Sequence, residues 1–218
     1  MVLDAVRQGP ATGNAEQLIV LLHGVGADGY DLIDMAVPWT RGLPQAAFLA
    51  PHAPEPYDGA PFGRQWFSVL DRTPAVMIAG ARRATIPLLE TVNAELARLG
   101  LGPENVALVG FSQGAMMALH AGLQRSPAPR AVLAYSGAFI PPERLNPAPP
   151  PVLLVHGEAD EVVPWQRSLQ AEQALRGLGV PVEALWRPRL GHGVDDAGLA
   201  AGGLFLQRAF SEVSVTRA

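Results

Sequence analysis

The sequence predicts an α/β domain: a mainly parallel sheet with helices on both faces. Three observations predict it. Six short apolar runs recur along the chain, and most end in small or polar residues. The runs are largely apolar on both faces, as strands covered by helices on each side must be. Segments with helical periodicity lie between them, and alternation of strand with helix is the pattern of a parallel sheet.

Taken in order, the first run is Leu18–Leu22, which leads straight into His23-Gly24-Val25-Gly26-Ala27-Asp28-Gly29. The second, Ala46–Ala50, stops at Pro51-His52. A long helix is expected over Ala81–Leu99, with its apolar stripe at Ile86, Leu89, Val92 and Leu96. The third run, Asn105–Gly110, is followed by a helix over Gly114–Gln124. The fourth is Ala131–Tyr135, and the fifth is Val152–Val155 with a helix over Trp165–Leu178. The sixth is Val182–Trp186, and a helix over residues 199–212 closes the chain. Pro141–Pro151 is the one biased stretch and reads most simply as a stiff connector between two strands, with framing of the mouth of a site as the lesser alternative. No internal repeat interrupts this plan, so one domain is expected over residues 1–218.

Composition narrows the chemistry. A 49% hydrophobic and 17% charged chain has apolar residues enough for a packed core. The formal charge of −4 gives no electrostatic reason to expect nucleic acid or an anionic membrane as partner. All sixteen basic side chains are Arg, which excludes a Schiff-base lysine and a P-loop lysine. Cys is absent, which excludes disulfides, cysteine nucleophiles and thiolate metal sites. The first residues show no secretory signal and no apolar run reaches membrane-spanning length. A cytoplasmic protein with no stable membrane insertion is the expectation.

Gly110-Phe111-Ser112-Gln113-Gly114 is G-x-S-x-G, placed where a strand ends and a helix begins, as a nucleophile elbow requires. A serine hydroxyl is a weak nucleophile. It needs a base, and the base needs an orienting acid. Of the five histidines, His192 lies between two glycines in the loop after the sixth run, where its ring can approach another surface. His23 belongs to the glycine-rich loop, His156 reads as a hydrogen-bonded structural residue, and His52 and His120 read as structural or surface groups. Asp160, in His156-Gly157-Glu158-Ala159-Asp160-Glu161, is the candidate acid. Glu158 and Glu161 are close rivals, more simply read as solvated charges. Asp195 and Asp196 lie too near His192 in the chain for an easy orienting contact and suit a helix cap instead. Serine, acid, histidine is the chain order of α/β-hydrolase triads.

Gly24, Gly26 and Gly29 also fit G-x-G-x-x-G, a dinucleotide-binding pattern. That reading needs an acidic residue about twenty positions further on for the ribose. The sequence there, Gln45-Ala46-Ala47-Phe48-Leu49-Ala50, has none. It also leaves Ser112, Asp160 and His192 unexplained. An oxyanion hole uses the same loop better. One N–H comes from the residue after the nucleophile, Gln113, and the other from a loop after an early strand, where Val25 is the natural donor.

These stretches, together with Gly191-His192, resemble the phospholipase/carboxylesterase family over nearly the whole chain. The resemblance implies a small α/β-hydrolase fold without a large cap domain. It implies Ser112 as nucleophile, His192 as base, Asp160 as its partner, and Val25 and Gln113 as oxyanion donors. Arg64-Gln65-Trp66-Phe67-Ser68 is similar to the family's Trp-aromatic-Asp segment near the substrate cleft. Ser68 stands where Asp is common, so no role of that acid is carried over. Phe67 reads as core. Trp66 follows a Gly/Pro-rich loop and is expected to wall the acyl or alcohol pocket. No metal or organic cofactor is expected. The expected substrates are carboxylic esters of small to medium acyl chains; acyl thioesters and lysophospholipids suit the same residues, and a non-enzymatic binding module is the rival outside catalysis.

Overall fold

The computed structural model describes residues 1–11 and 13–211. Its strands are β1 (Ala5–Gln8), β2 (Gln17–Leu22), β3 (Ala46–Pro51), β4 (Glu55–Pro56), β5 (Arg64–Gln65), β6 (Val106–Phe111), β7 (Ala131–Tyr135), β8 (Val152–Gly157) and β9 (Val182–Arg187). Its helices are α1 (Gly29–Ile33), α2 (Ala36–Trp39), α3 (Pro74–Leu99), α4 (Gln113–Gln124), α5 (Gln166–Gly177) and α6 (Asp196–Ser211). Seven strands form one sheet in the order β1-β3-β2-β6-β7-β8-β9, and β4 pairs with β5 in a separate ribbon. Within the seven-stranded sheet β1 runs antiparallel to β3 and the other described pairs are parallel, while β4 and β5 pair antiparallel.

The apolar runs form the sheet because both of its faces are covered. In β2, Leu18, Val20 and Leu22 join the core under α3, α4 and α5. Ile19 and Leu21 join the opposite core, with Trp39 of α2 and Phe205 and Leu206 of α6. Full burial of one such side chain is worth about 1.5–3 kcal/mol, so a register slip that exposed it would be costly.

Two details depart from the sequence expectation. Helix α3 begins at Pro74, seven residues before Ala81, because a proline at the first helical turn needs no N–H partner. Its buried face runs through Ala81, Ala84, Leu88, Val92 and Leu96, and Ile86 is 61% exposed. The expected stripe was right at Val92 and Leu96 and out of phase at Ile86. Helix α6 begins three residues before the expected Leu199, and Glu212, its expected last residue, lies outside the described residues.

Chain order reverses at the centre of the sheet. From β2 the chain moves outward to β3, and from β6 it moves the other way to β7, β8 and β9. The crevice at the carboxyl ends of the strands, beside such a reversal, is where open α/β sheets bind ligands. Ser112 follows β6 there, His23 follows β2, and Asp160 lies in the loop after β8.

Candidate active site

Ser112 has φ +54° and ψ −116°, a conformation that L-residues avoid. The surroundings enforce it. A Cβ on Gly114 would lie 1.8 Å from the Leu22 carbonyl oxygen, and one on Gly110 would lie 2.0 Å from the Gly114 carbonyl oxygen. Only glycine at both positions lets β2, β6 and the start of α4 approach so closely. The Ser112 N–H donates to the Tyr135 carbonyl at 2.9 Å, which ties the turn to β7.

The sequence-derived trio comes together. His192 Nε2 is 3.1 Å from Ser112 Oγ, and His192 Nδ1 is 2.7 Å from Asp160 Oδ2. The carboxylate only accepts, so Nδ1 carries a proton and Nε2 faces the serine hydroxyl with its lone pair. Asp160 Oδ1 accepts the N–H groups of Val162 at 2.9 Å and Val163 at 2.8 Å. Burial alone would push this carboxyl up. The hydrogen bond from His192 and the Val163 and Val162 N–H groups outweigh it and hold the group below the usual carboxylate range. Glu158 and Glu161 are both exposed, and Asp195 is occupied elsewhere: it accepts from the Gly198 N–H in the first turn of α6 and pairs with Arg187. The Phe111 ring packs on His192 with centroids 4.8 Å apart.

The glycine-rich loop lies against the elbow. A Cβ on Gly24 would come within 3.3 Å of Ser112 Cβ. Beta-strand β5 straps the loop from outside: the Gly26 N–H donates to the Arg64 carbonyl at 2.8 Å, and the Arg64 N–H to the Ala27 carbonyl at 2.9 Å. Arg64 also donates to the carbonyls of Ala53 and Pro54. Among the described residues the Val25 N–H has no hydrogen-bond acceptor. Gln113 is the first residue of α4, so its N–H has no acceptor one turn back in the helix. His23 is fully buried and accepts the Ala53 N–H at Nε2, 3.0 Å away, so its proton sits on Nδ1, 2.7 Å from the Gly24 carbonyl. Burial lowers its pKa.

Trp66 lies elsewhere than the expected pocket wall. It is fully buried, and its indole Nε1 donates to the His23 carbonyl at 2.9 Å. A Trp this deep needs a partner for its N–H, and the carbonyl next to the glycine-rich loop provides it. Its backbone N–H donates to the Gln113 side chain at 2.9 Å. Trp66 therefore supports the loop and the elbow from behind and has no surface to offer a substrate.

Sequence reasoning missed two features. His156, read as structural, also contacts Asp160 Oδ2, with its Nε2 2.9 Å away. The second is a cavity of about 400 Å³ beside the elbow, lined mainly by apolar groups from α3 (Met77, Ile78), α4 (Met116) and the loops after β7 (Phe139) and β8 (Val162, Val163). The Met116 N–H donates to the Ser112 carbonyl, and Val163 holds Asp160, so the cavity adjoins the trio. Pro141 lines it too, so the Pro-rich connector begins at its wall. Four separate segments build the cavity, which no local pattern could reveal.

The phospholipase/carboxylesterase family profile matches residues 9–208. The chain belongs to the phospholipase/carboxylesterase family. An esterase of Escherichia coli strain K12, esterase YpfH, is 32% identical over 84% of this chain and 78% of its own. Acyl-protein thioesterase 1 of Gibberella zeae is 28% identical over 84% of this chain and 86% of its own. The crystal structure of esterase PE8 superposes with a TM-score of 0.88 at 38% identity, covering 96% of this chain and all of that one. The family membership and these likenesses agree with the α/β-hydrolase fold expected from the sequence.

Proposed function

We propose that this protein is a serine carboxylesterase that cleaves esters of small to medium acyl chains through an acyl-enzyme on Ser112. The observation that carries the reading is the unbroken hydrogen-bonded path from Ser112 through His192 to Asp160, with an apolar cavity beside it that shares Met116 and Val163 with its neighbours.

Ser112 Oγ attacks the ester carbonyl while His192 Nε2 takes its proton. The carbonyl π electrons move to oxygen, where the N–H groups of Val25 and Gln113 receive the negative charge. Asp160 stabilises the imidazolium and keeps its tautomer. The tetrahedral intermediate collapses, the alkoxide leaves, and His192 returns the proton to it. Water then enters. His192 takes a proton from it, hydroxide adds to the acyl carbonyl, and Ser112 leaves with that proton as the acid is released. The cavity accepts the acyl chain: its volume is at the lower end of small-molecule sites, which suits a small or medium chain.

Thioester hydrolysis is the second reading, favoured by the similarity to an acyl-protein thioesterase. The same groups serve it, since only the leaving atom differs. A panel of p-nitrophenyl esters and acyl thioesters of matched, graded chain length separates the two. The ester reading expects higher kcat/KM for esters at every length; a reversed order assigns the site to thioesters. Loss of both activities in Ser112→Ala ties them to this site.

A further inference from the structure

The carboxylate that orients His192 is shared. Asp160 Oδ2 lies 2.7 Å from His192 Nδ1 and 2.9 Å from His156 Nε2. His156 is fully buried, and its Nε2 also lies 2.9 Å from the Val163 carbonyl. Both of these neighbours only accept, so His156 Nε2 carries a proton and donates it. On the other side of the ring, Nδ1 is 2.6 Å from Ser168 Oγ of α5, whose single hydroxyl proton is shared between that lone pair and the Gly137 carbonyl 3.1 Å away. Gly137 in turn backs onto the elbow: a Cβ there would lie 3.2 Å from the Ser112 carbonyl oxygen. A buried polar chain thus runs from the acid through His156 and Ser168 and returns to the nucleophile's own turn.

We propose that His156 is a positioning residue of the triad, whose Nε2–H fixes Asp160 and withdraws negative charge from the oxygen that His192 faces. The inference rests on the triad reading above. With two N–H groups on Oδ1 and two on Oδ2, the carboxylate cannot rotate without losing a donor. Its charge is divided between both histidines, so less of it is available to stabilise the His192 imidazolium. Burial lowers the pKa of His156 itself, so the ring acts as a neutral donor.

The charged and titratable groups around the pair are few. From β8 the carboxylate meets His156, and from the β9–α6 loop it meets His192. Helix α5 offers the Ser168 hydroxyl to His156, while its exposed Arg167 and, from the chain before α3, Arg72 line the neighbouring cavity; β6 presents the Phe111 ring to His192. Arg187 at the end of β9 pairs with Asp195 of the His192 loop, and Arg189 of that loop, Glu158 and Glu161 are exposed. A change in the acid limb on altering His156 therefore reports the shared carboxylate.

The sign follows. Removing the His156 donor leaves more charge on Oδ2, favours protonated His192, and moves the acid limb of kcat/KM to higher pH. The test is the pH profile of p-nitrophenyl ester hydrolysis by wild type, His156→Leu, His156→Gln and Ser168→Ala, each checked for folding by its melting curve. His156→Leu is expected to lose about tenfold to 100-fold in kcat, through a misplaced Asp160. Its acid limb is expected to rise by about one pH unit. His156→Gln keeps an N–H donor on a side chain of similar reach and is expected to retain the wild-type limb. Ser168→Ala leaves the ring in place but weakens its donor, and is expected to move the limb upward by less. If His156→Leu does not fold, Ser168→Ala decides. An acid limb unmoved or moved to lower pH in folded His156→Leu, or in Ser168→Ala where that variant decides, overturns the proposal. A wild-type enzyme with no Ser112-dependent turnover would instead overturn the triad reading beneath it.

Discussion

The side chain of Gln113 is clamped against Trp66: its carbonyl oxygen accepts the Trp66 backbone N–H at 2.9 Å, while its amide donates to the neighbouring Phe67 carbonyl at 2.7 Å. The residue whose N–H is proposed to meet the oxyanion is therefore fixed at its other end by a segment far away in sequence. Trp66 also holds the His23 carbonyl. One buried aromatic braces both halves of the proposed oxyanion hole.

Gln113→Ala leaves a buried N–H and a buried carbonyl without partners, at about 1–3 kcal/mol each. We expect a lower melting temperature and a lower kcat with KM little changed. Trp66→Ala should cost about 3–5 kcal/mol of stability, while the relative rates on short and long esters stay as in wild type. A melting temperature unchanged in Trp66→Ala, with an altered chain-length profile, would contradict the placement of Trp66 behind the site.

Asp160→Asn removes the carboxylate and lets the amide select the unproductive imidazole tautomer. We expect kcat to fall by about 10⁴-fold. Glu158→Gln and Glu161→Gln change exposed groups and should leave kcat within about twofold of wild type. A steady-state comparison in which either glutamate variant is the more damaged would reassign the acid.

The proposed role of Val25 in the oxyanion hole rests on its N–H and not on its side chain. Val25→Ala should be tolerated. Val25→Pro deletes the donor and should cost about 3 kcal/mol of transition-state stabilisation, read as kcat/KM in folded protein. Equal activity in the two variants would remove Val25 from the oxyanion hole.

Stability should depend on pH through the buried histidines. Burial lowers the pKa of His23, His120 and His156 below the ordinary 6.5. Below pH 6.5 the unfolded chain then binds protons that the folded chain does not. Unfolding free energy therefore falls as pH drops from 6.5 towards the lowered folded values, and it is flat above 6.5 as far as these groups are concerned. Urea titrations at pH 7.5, 6.5 and 5.5 should show a falling midpoint between the last two. A midpoint that rises on acidification would contradict neutral burial of these rings.

Much of the site was legible because its signals are local. The apolar run of β6 and the two glycines around Ser112 announce a strand, a strained turn and a tightly packed helix within a few residues. His192 and Asp160 were legible from the loops that carry them. What the sequence concealed depends on tertiary contact. Strand β1 is four residues of half-exposed AVRQ and pairs only at the sheet's edge. Ile86 fits an apolar spacing but projects into solvent, because the packing of α3 selects the adjacent Leu88 face. Trp66 looked like a loop residue, and only the fold shows that β4 and β5 turn it inward to His23. His156 and Asp160 are four residues apart in a turn, yet Asp160's contact with His192 depends on a loop thirty-two residues beyond the acid.

The central claim is an acyl-enzyme on Ser112. It is tested most directly by intact-protein and peptide mass spectrometry after treatment with a fluorophosphonate, and after acid quench during turnover of a p-nitrophenyl ester. We predict one adduct per chain, located on Ser112, formed at a rate that collapses in His192→Ala and absent from Ser112→Ala. An adduct on another residue, or undiminished labelling of folded Ser112→Ala, would contradict the account.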